Sequence, residues 1–427
     1  LEAGATGVVA ESDIEPVRDL PRLVDQNIDA AQGREALAQT VMIRLNGGLG
    51  TSMGMSKAKS LLPVEQGRTF LDLIVAQVRA ARTEHTVRLP LVLMNSFRTR
   101  EDSLAALEGY PDLAVEGLPL DFVQSSEPKL RRDDLTPVEW PADPELEWCP
   151  PGHGDIYPAL LASGLLDELL ERGFRYAIVA NSDNLGATAD PRLAGWFADS
   201  GAPFAIEVCS RTTADRKGGH IAVRRSDGRM ILREVAQTAP QDLSAFTDER
   251  RHQWFSTNTL WWDLAQLREV LTARAGVLGL PLIRNKKTVD PGDPSSPEVY
   301  QIETAMGGAV ELFEDAVSIG VTRERFVPVK TTNELLLLRS DVYAVDPQTY
   351  LLTRTVDDVL VPVVDLAKEH YGMIADFDAR FPHGAPSLVQ AQRLTVEGDW
   401  AFGRDVSVAG TVVLGEEGGQ VPDGSRL

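Results

Sequence analysis

Residues 41–54 read VMIRLNGGLGTSMG, and Lys59 follows the last of these glycines by five positions. The mostly apolar run 41–45 predicts a short buried strand. The glycines come where that strand ends, and without side chains they allow backbone N–H groups to approach an anion closely. The lysine that follows adds a mobile positive charge. We therefore predict a phosphate-binding loop at the end of a buried strand, which is typical of an α/β protein.

The glycine-rich loop differs from the two common phosphate-binding motifs. A P-loop places glycine directly before its lysine, whereas Ala58 precedes Lys59 here. The dinucleotide motif G-x-G-x-x-G fits Gly48 and Gly50 but fails at Met53. The loop alone therefore indicates neither a P-loop enzyme nor a nicotinamide enzyme, and glycines after a strand can also form a plain turn.

Composition limits the classes of function. The chain has 427 residues, enough for two or three domains, and 43% hydrophobic with 25% charged residues is ordinary for a globular protein. The net charge of −21 disfavours a nucleic-acid partner, which needs a basic surface. It leaves open a small phosphorylated substrate, which needs only a local group of cations.

Cellular location is also addressed by composition. No apolar run has the length of a membrane span, and the start of the sequence has no signal-peptide pattern. Cys149 and Cys209 lack C-x-x-C spacing, so they predict no metal site and fit a reducing compartment. We expect a cytoplasmic protein with no membrane partner.

Apolar runs alternate with helical stretches through the middle of the chain, which predicts a parallel, doubly wound sheet covered by helices. The predicted strands are 41–45, 89–94, 174–179, 204–209 and 326–329. The predicted helices are 69–81, 158–170 and 264–272. In such sheets the ligand lies beyond the carboxyl ends of the strands, where the glycine-rich loop falls.

The C-terminal part has a six-residue period. Apolar residues recur in two series, Leu394, Trp400, Val406, Val412 and Val396, Phe402, Val408, Leu414. A hexad of this kind predicts a β-helix with one short strand per side. A β-meander with coincidental spacing is the alternative. Because a small β-helix exposes its end coil, it also offers a surface for a homo-oligomer.

Two segments carry candidate functional groups at strand or loop ends. PPGHGDIY at 150–157 places His153 between two glycines in a loop stiffened by prolines, which favours a ligand contact. IVANSDNLG at 178–186 predicts a buried strand that ends in Asn181, Asp183 and Asn184. A carboxylate at a strand end beside phosphates is a suitable Mg²⁺ ligand, although an Asx turn explains the same residues.

Three further segments are weaker candidates. KGGH at 217–220 gives close backbone access beside Lys217. Asn258, within FSTNTLW at 255–261, has an amide suited to a hydroxylated ligand. Lys330 follows the predicted strand 326–329, so its ammonium group is either solvated or directed at an anion.

Taken together, the motifs closely resemble the eukaryotic-type UTP–glucose-1-phosphate uridylyltransferases, also called UDP-glucose pyrophosphorylases. The matching stretches, in the order that the family has them, are LNGGLGTSMG at 45–54, PPGHGDIY at 150–157, NSDNLGAT at 181–188, ADRKGG at 214–219, FSTN at 255–258 and RFVPVKTT at 325–332. One departure lies in the loop before Lys59. The family pattern is CKGPK, and this chain has MSKAK, so the first lysine, Lys57, is shifted and the Gly-Pro pair is missing.

The resemblance implies a fold and a division into domains. The expected fold is a glycosyltransferase-A-like, Rossmann-like nucleotidyltransferase domain with a mixed, mostly parallel sheet, followed by a left-handed parallel β-helix. The implied parts are an acidic, partly helical lead-in at 1–40, a catalytic domain at 41–345 and a C-terminal domain with a short β-helix at 346–427.

The resemblance also implies roles for individual residues. The nucleotide is bound by Leu45, Asn46, Gly47, Gly48, Lys59, Gln124, Gly152 and Asp183. The sugar phosphate is bound by His153, Asn181, Gly219, Glu234 and Asn258. The catalytic lysines are Lys59 and Lys330, and Asp183 helps to place Mg²⁺, the implied cofactor.

The implied reaction joins UTP and glucose 1-phosphate to give UDP-glucose and pyrophosphate. Two alternatives remain at this point. One is a related pyrophosphorylase that acts on N-acetylglucosamine, galactose or several sugar phosphates. The other is a non-catalytic UDP-sugar sensor, which the presence of Lys59, Asp183 and Lys330 disfavours.

Overall fold

The computed structural model describes residues 7–212, 215, 218–357 and 361–427. Lys217 and the start of the 214–219 motif lie outside the described residues. In the described part no helix is both long and apolar enough to cross a membrane.

The strands are numbered in chain order. They are β1 Ile14–Pro16, β2 Thr40–Asn46, β3 Pro63–Glu65, β4 Arg68–Thr69, β5 Leu91–Asn95, β6 Asp121–Val123, β7 Glu127–Pro128, β8 Leu130–Arg131, β9 Trp148–Cys149, β10 Tyr176–Asn181, β11 Phe204–Ser210, β12 His220–Arg224, β13 Met230–Arg233, β14 Trp254–Asp263, β15 Leu282–Thr288, β16 Glu298–Thr304, β17 Val317–Val321, β18 Tyr343–Val345, β19 Leu352–Arg354, β20 Val363–Leu366, β21 Ser387–Val396, β22 Trp400–Phe402, β23 Ser407–Leu414 and β24 Gly419–Val421.

The helices are numbered in the same way. They are α1 Ala30–Ala38, α2 Phe70–His85, α3 Arg100–Leu107, α4 Ile156–Ala162, α5 Leu165–Glu171, α6 Pro191–Ser200, α7 Leu243–Phe246, α8 Leu264–Ala273, α9 Thr332–Arg339, α10 Lys368–Tyr371 and α11 Ile374–Arg380.

A ten-stranded sheet forms the centre of the molecule, in the order β1-β12-β14-β10-β2-β5-β6, with β11, β13 and β17 attached beside it. Strands β10, β2, β5 and β6 pair in parallel, as the alternation of elements predicts. Around β14 the pairs with β10, β11 and β12 are antiparallel. The fold is therefore mixed α/β, and the prediction of a mostly parallel sheet is wrong in this half. Periodicity does not report strand direction, because inward and outward side chains alternate equally in both kinds of sheet.

Helices cover both faces of this sheet, and β2 shows how the sequence produces the two layers. Val41 and Ile43 point into one apolar core with α4 and α8, and Met42 points into the other with α2 and α6. All three side chains are buried, which explains why the strand reads as a continuous apolar run. Helix α1 packs on α6, where a Cβ on Gly33 would lie 2.6 Å from the Pro191 carbonyl oxygen.

Two predicted elements differ from the structure. The helix predicted at 158–170 is two helices, α4 and α5, separated at Gly164, whose φ of 76° ends the first helix. The strand predicted at 326–329 is wrong, because this extended segment makes only one isolated bridge, from Pro328 to Asn184. Proline has no N–H for a ladder, so the segment is held by side chains instead.

The C-terminal residues form two small parallel sheets, β20-β21-β23 and β22-β24. Leu394 pairs with Val412 and Phe402 with Val421, so paired residues are about three hexads apart in sequence. The inward residues of the hexads, including Leu394, Phe402 and Val408, are buried and join the same core as α2. The six-residue spacing therefore corresponds to stacked parallel strands.

Candidate active site

A cleft of about 280 Å³ opens at the carboxyl edge of the parallel strands, near the lower end of the range for small-ligand pockets. It is lined by the ends of β2 and β10 and by loops from β6 and β9. The lining residues are Leu45, Asn46, Gly47, Gly48, Lys59, Ser60, Met94, Gln124, Pro150, Gly152, His153, Asn181, Ser182, Asp183 and Glu303. All eight predicted nucleotide-binding residues are therefore brought together, with His153 and Asn181 from the predicted sugar set.

The glycine-rich loop folds back on itself, and as a result Lys59 lines the cleft. The Lys59 N–H donates to the Gly48 carbonyl at 3.1 Å, and Leu49 forms a bridge with Ala58. A side chain on Gly48 would meet no atom within 4 Å, so this glycine leaves open space beside the strand end. The loop thus places the Lys59 ammonium group in the same cleft as the Gly48 backbone, which a ligand can approach closely.

Lys59 and Asp183 form the charged floor of the cleft. The Lys59 Nζ donates to Asp183 Oδ2 at 2.7 Å, and both side chains are largely buried. Asp183 Oδ1 is buried and has no hydrogen-bond partner in the described structure. A free carboxylate oxygen beside a phosphate site fits Mg²⁺, which takes one or two carboxylates and completes its shell with phosphates and water. No group of three or more His, Cys, Asp or Glu that could hold a metal occurs in the described part.

Gly47 and Gln124 make a close contact on the predicted base side. A Cβ on Gly47 would lie 2.2 Å from Gln124 Nε2, so a larger residue at position 47 would require this buried amide to move. Asn46 also lines the cleft, but its side-chain nitrogen donates to Asn95 Oδ1 at 2.7 Å and to Ser103 Oγ at 2.8 Å. Asn46 therefore holds the strand end in place, while Gln124 is available to a ligand.

Gly152 packs against the end of β16, the strand that carries the cleft-lining residue Glu303. Its φ of 81° and ψ of 175° lie in a region that almost only glycine adopts, and a Cβ would lie 2.6 Å from the Thr304 carbonyl oxygen. Gly164 provides a comparison, because its φ is 76° but a Cβ there would meet nothing within 4 Å.

We expect Gly152→Ala to lower the free energy of unfolding by about 3 kcal/mol, from backbone strain and a collision with backbone. Gly164→Ala should cost about 1 kcal/mol, the penalty for an ordinary residue in the left-handed region. Denaturant unfolding of both variants measures the difference. Equal losses would show that the contact with Thr304 has no energetic consequence.

His153 is neutral in this site. Its Nδ1 accepts a hydrogen bond from the Met306 N–H at 3.1 Å, which leaves the proton on Nε2. Burial lowers the pKa of His153 to about 4, so the imidazole stays uncharged at neutral pH. It can therefore donate a hydrogen bond to a ligand but supplies no charge.

The predicted sugar residues lie along the cleft toward β14. Asn258 Nδ2 donates to Asn181 Oδ1 at 3.0 Å. Asn258 has a φ of 56° at an irregularity in the pairing of β14 with β11, where Thr257 and Asn258 are left out of the ladder. Strained bulges of this kind are common at functional sites because they redirect a side chain.

Gly219, Glu234 and Lys330 form the next group and are not part of the cleft lining. The Gly219 carbonyl accepts from the Ser256 N–H at 2.9 Å, and a Cβ on Gly219 would lie 2.6 Å from the Glu234 carboxyl. Burial raises the pKa of Glu234, and the nearby Lys330 ammonium acts in the opposite direction. Lys330 is exposed.

Sequence reasoning missed several residues of the cleft wall. Glu303 reaches it from β16, and burial raises the pKa of its carboxyl. The position of Glu303 depends on the β15–β16 hairpin, which packs against Gly152. No motif near Glu303 in the sequence indicates a functional residue. Ser60 could have been found because it follows Lys59, and Pro150 because it begins the PPGHGDIY motif.

Comparison with known proteins agrees with this geometry. The family model described as UTP–glucose-1-phosphate uridylyltransferase matches residues 2–409. The chain belongs to this family. A uridylyltransferase of this name from Solanum tuberosum is 36% identical over 411 residues, which are 95% of this chain and 83% of that protein. The corresponding enzyme of Saccharomyces cerevisiae is 36% identical over 92% of this chain and 77% of its own length.

Solved structures of UDP-glucose pyrophosphorylases have the same fold. A UDP-glucose phosphorylase from Trypanosoma brucei matches with a TM-score of 0.91 and 43% identity, covering 100% of this chain and 92% of that one. A variant of the Leishmania major enzyme in complex with UDP-glucose matches with a TM-score of 0.90 and 42% identity, with the same coverage. The resemblance seen in the sequence motifs is therefore confirmed, and the chain is a nucleotidyltransferase.

Proposed function

We propose that this uridylyltransferase transfers the uridylyl group of UTP to glucose 1-phosphate, giving UDP-glucose and pyrophosphate reversibly and with Mg²⁺. The observation that carries the proposal is the Lys59–Asp183 pair at 2.7 Å, which lines one cleft together with Gly47, Gln124 and Asn181. Family membership supports the same reaction.

Different parts of the site bind the base, the sugar and the phosphates. Leu45, Gly47, Gly48, Gln124 and Gly152 provide a narrow slot for the base, and Asn46 holds the strand beneath it. Asn181, Gly219, Glu234 and Asn258 offer amide, carbonyl and carboxyl groups for the hydroxyls of a sugar. His153 donates from Nε2 to a phosphate oxygen without adding charge.

The protein's main task is to align two anions. The phosphate oxygen of glucose 1-phosphate attacks the α-phosphorus of UTP, and pyrophosphate leaves from the opposite side. Lys59 offsets negative charge on the triphosphate, and Lys330 approaches from the sugar side. Such preorganised charges lower the barrier without a covalent intermediate. Cys149 and Cys209 do not act as nucleophiles, because burial raises the pKa of each thiol to about 12.

A magnesium ion would be held by Asp183 through its unpaired Oδ1, and when bound it supplies positive charge to the phosphates. Lys59 contacts the other oxygen of the same carboxylate, so the lysine orients Asp183.

The proposal extends to the architecture and location of the enzyme. We divide it into a lead-in at 1–40, a glycosyltransferase-A-like catalytic domain at 41–345 and a C-terminal domain at 346–427. The pairing of residues about three hexads apart supports a short left-handed β-helix, whose open end would join copies of the chain. Two buried free cysteines are consistent with the cytoplasm.

The test is pyrophosphate release from UTP with glucose, galactose or N-acetylglucosamine 1-phosphate, with and without Mg²⁺. We expect release that requires Mg²⁺ and is at least about tenfold faster with glucose 1-phosphate, the discrimination available from one or two hydroxyl contacts. Preference for another sugar phosphate would change the assigned substrate and leave the proposed mechanism unchanged. Binding of UDP-glucose without release would indicate a sensor.

A further inference from the structure

Arg44 is a buried charge directly beneath the active-site segment. It lies in β2, has no exposed surface, and shares a face with Met42. Its Nη1 donates to the carbonyl oxygens of Asn181 at 3.0 Å and Asn184 at 3.1 Å, and its Nη2 to that of Ala187 at 2.6 Å. One guanidinium therefore holds three carbonyls of the segment that carries Asp183.

A second buried arginine fixes the far end of the same segment. Arg325 Nη2 donates to the Thr188 carbonyl oxygen at 3.0 Å, and its Nε and Nη2 donate to the Glu207 carboxylate at 2.6 and 2.9 Å. Trp261 Nε1 also donates to Glu207, at 2.9 Å. A carboxylate with these partners holds Arg325 rigidly against Thr188.

The segment is also tied to the residues that lead to Lys330. Asn184 Nδ2 donates to the Arg325 carbonyl oxygen at 3.0 Å, and its Oδ1 accepts from the Val327 N–H at 2.9 Å. Arg44 binds the Asn184 carbonyl, so it supports both the segment with Asp183 and the approach to Lys330.

The charge of Arg44 also has an electrostatic effect. Burial and the neighbouring Arg325 lower the pKa of Arg44 to about 9, while Glu207 and Asp183 oppose this change, so the guanidinium remains protonated at neutral pH. Its Nε has no partner in the described structure. Because a buried charge is costly, an apolar side chain would serve better if only packing were needed.

We propose that Arg44 is a positioning residue for the transfer reaction, which sets the orientation of Asp183 by holding the carbonyls on both sides of it. The inference rests on the proposed function through the role of Asp183. Of the three residues whose carbonyl oxygens accept from Arg44, Asn181 lines the cleft and Asn184 and Ala187 do not.

The test compares Arg44→Met, Arg44→Lys and a matched control, Arg82→Met. Arg82 also donates to three carbonyl oxygens, those of Leu89, Asp112 and Leu113, but lies away from the cleft. Each variant is examined by hydrogen–deuterium exchange of the amides at 182–188, by turnover against Mg²⁺ concentration, and by thermal unfolding.

We expect Arg44→Met to speed exchange at 182–188 at least about tenfold, to lower kcat about thirtyfold and to raise the half-saturating Mg²⁺ concentration about tenfold, with a small change in KM for UTP. Arg44→Lys keeps the charge but lacks the two-armed fork, and should recover part of the loss. Arg82→Met should change stability alone.

Normal exchange at 182–188 in Arg44→Met, or exchange that rises equally across the whole sheet, would overturn the proposal. If Arg44→Met does not fold, the test rests on Arg44→Lys. Wild-type amide exchange at 182–188 together with wild-type turnover in that variant would overturn the proposal equally. An inactive wild-type protein would instead refute the proposed function, while the exchange data would still report whether Arg44 holds the segment.

Discussion

Replacement of Lys59 by alanine should lower kcat at least about a hundredfold, the scale for removing a preorganised charge from a reacting phosphate. The substitution also leaves the carboxylate of Asp183 with neither oxygen paired, since Lys59 is its partner at 2.7 Å. We expect the loss in turnover to exceed any loss in UTP binding, because the charge acts most strongly as pyrophosphate leaves. Steady-state kinetics and calorimetric binding of UTP measure the two effects.

Lys57→Ala is the matched control for this lysine. Lys57 lies on the same loop, but its side chain is 63% exposed and lies 3.8 Å from Asp102. An exposed pair of this kind contributes little, so we expect a change of less than about threefold. If Lys57→Ala were as damaging as Lys59→Ala, the altered loop would use the shifted lysine, and Lys59 would lose its assigned role.

Asp183→Asn is expected to reduce kcat by about two to three orders of magnitude and to remove most of the dependence on Mg²⁺. The amide keeps the size of the side chain but offers one neutral oxygen, which is a poor ligand for a hard cation. It also removes the negative partner of Lys59. Turnover across a Mg²⁺ titration gives both quantities, and UDP-glucose binding without metal shows whether the cleft remains intact.

Asp199→Asn is the control for this change, because Asp199 is an exposed acid that accepts a hydrogen bond from Gln32 and does not line the cleft. It should behave as wild type in the same titration. An Asp183→Asn enzyme with an unchanged Mg²⁺ requirement would show that the metal is held by phosphates and other groups, and would contradict the metal site proposed here.

The two substitutions should not be additive. Since Lys59 and Asp183 share one hydrogen-bonded pair, the double variant is expected to lose less than the product of the single losses. Independent effects would mean that each residue acts on a separate phosphate without the other.

The local parts of the site could be predicted from sequence. The apolar run 41–45, the glycines after it and Lys59 are consecutive or nearly so, and their backbone geometry follows from the residues themselves. The same holds for the strand that ends at Asn181 and for the helix predicted at 264–272, observed as Leu264–Ala273. The C-terminal hexad predicted a β-helix, and the structure shows two small parallel sheets in that region.

Other features depend on contacts that no local pattern describes. The antiparallel half of the sheet was missed because alternation of side chains is the same for either strand direction. Asn258 was selected from its motif, but the irregular pairing that gives it a φ of 56° arises only where β14 meets β11. Lys330 was expected to act on the phosphates, and its charge lies near Glu234, a neighbour that no local pattern in the sequence indicates.

The sequence by itself determined the family, the glycine-rich loop and the residue types needed to bind phosphates and a sugar, since these are carried by short runs of neighbouring residues. Only the tertiary structure decided how the site is supported. Arg44 looks like an interruption of an apolar strand, and its role appears when β10 lies beside β2 and brings carbonyls 137 to 143 positions away within hydrogen-bond distance. The physical reason is that a buried charge is tolerated only where distant polar groups meet it, and the chain order of the sheet determines which groups those are.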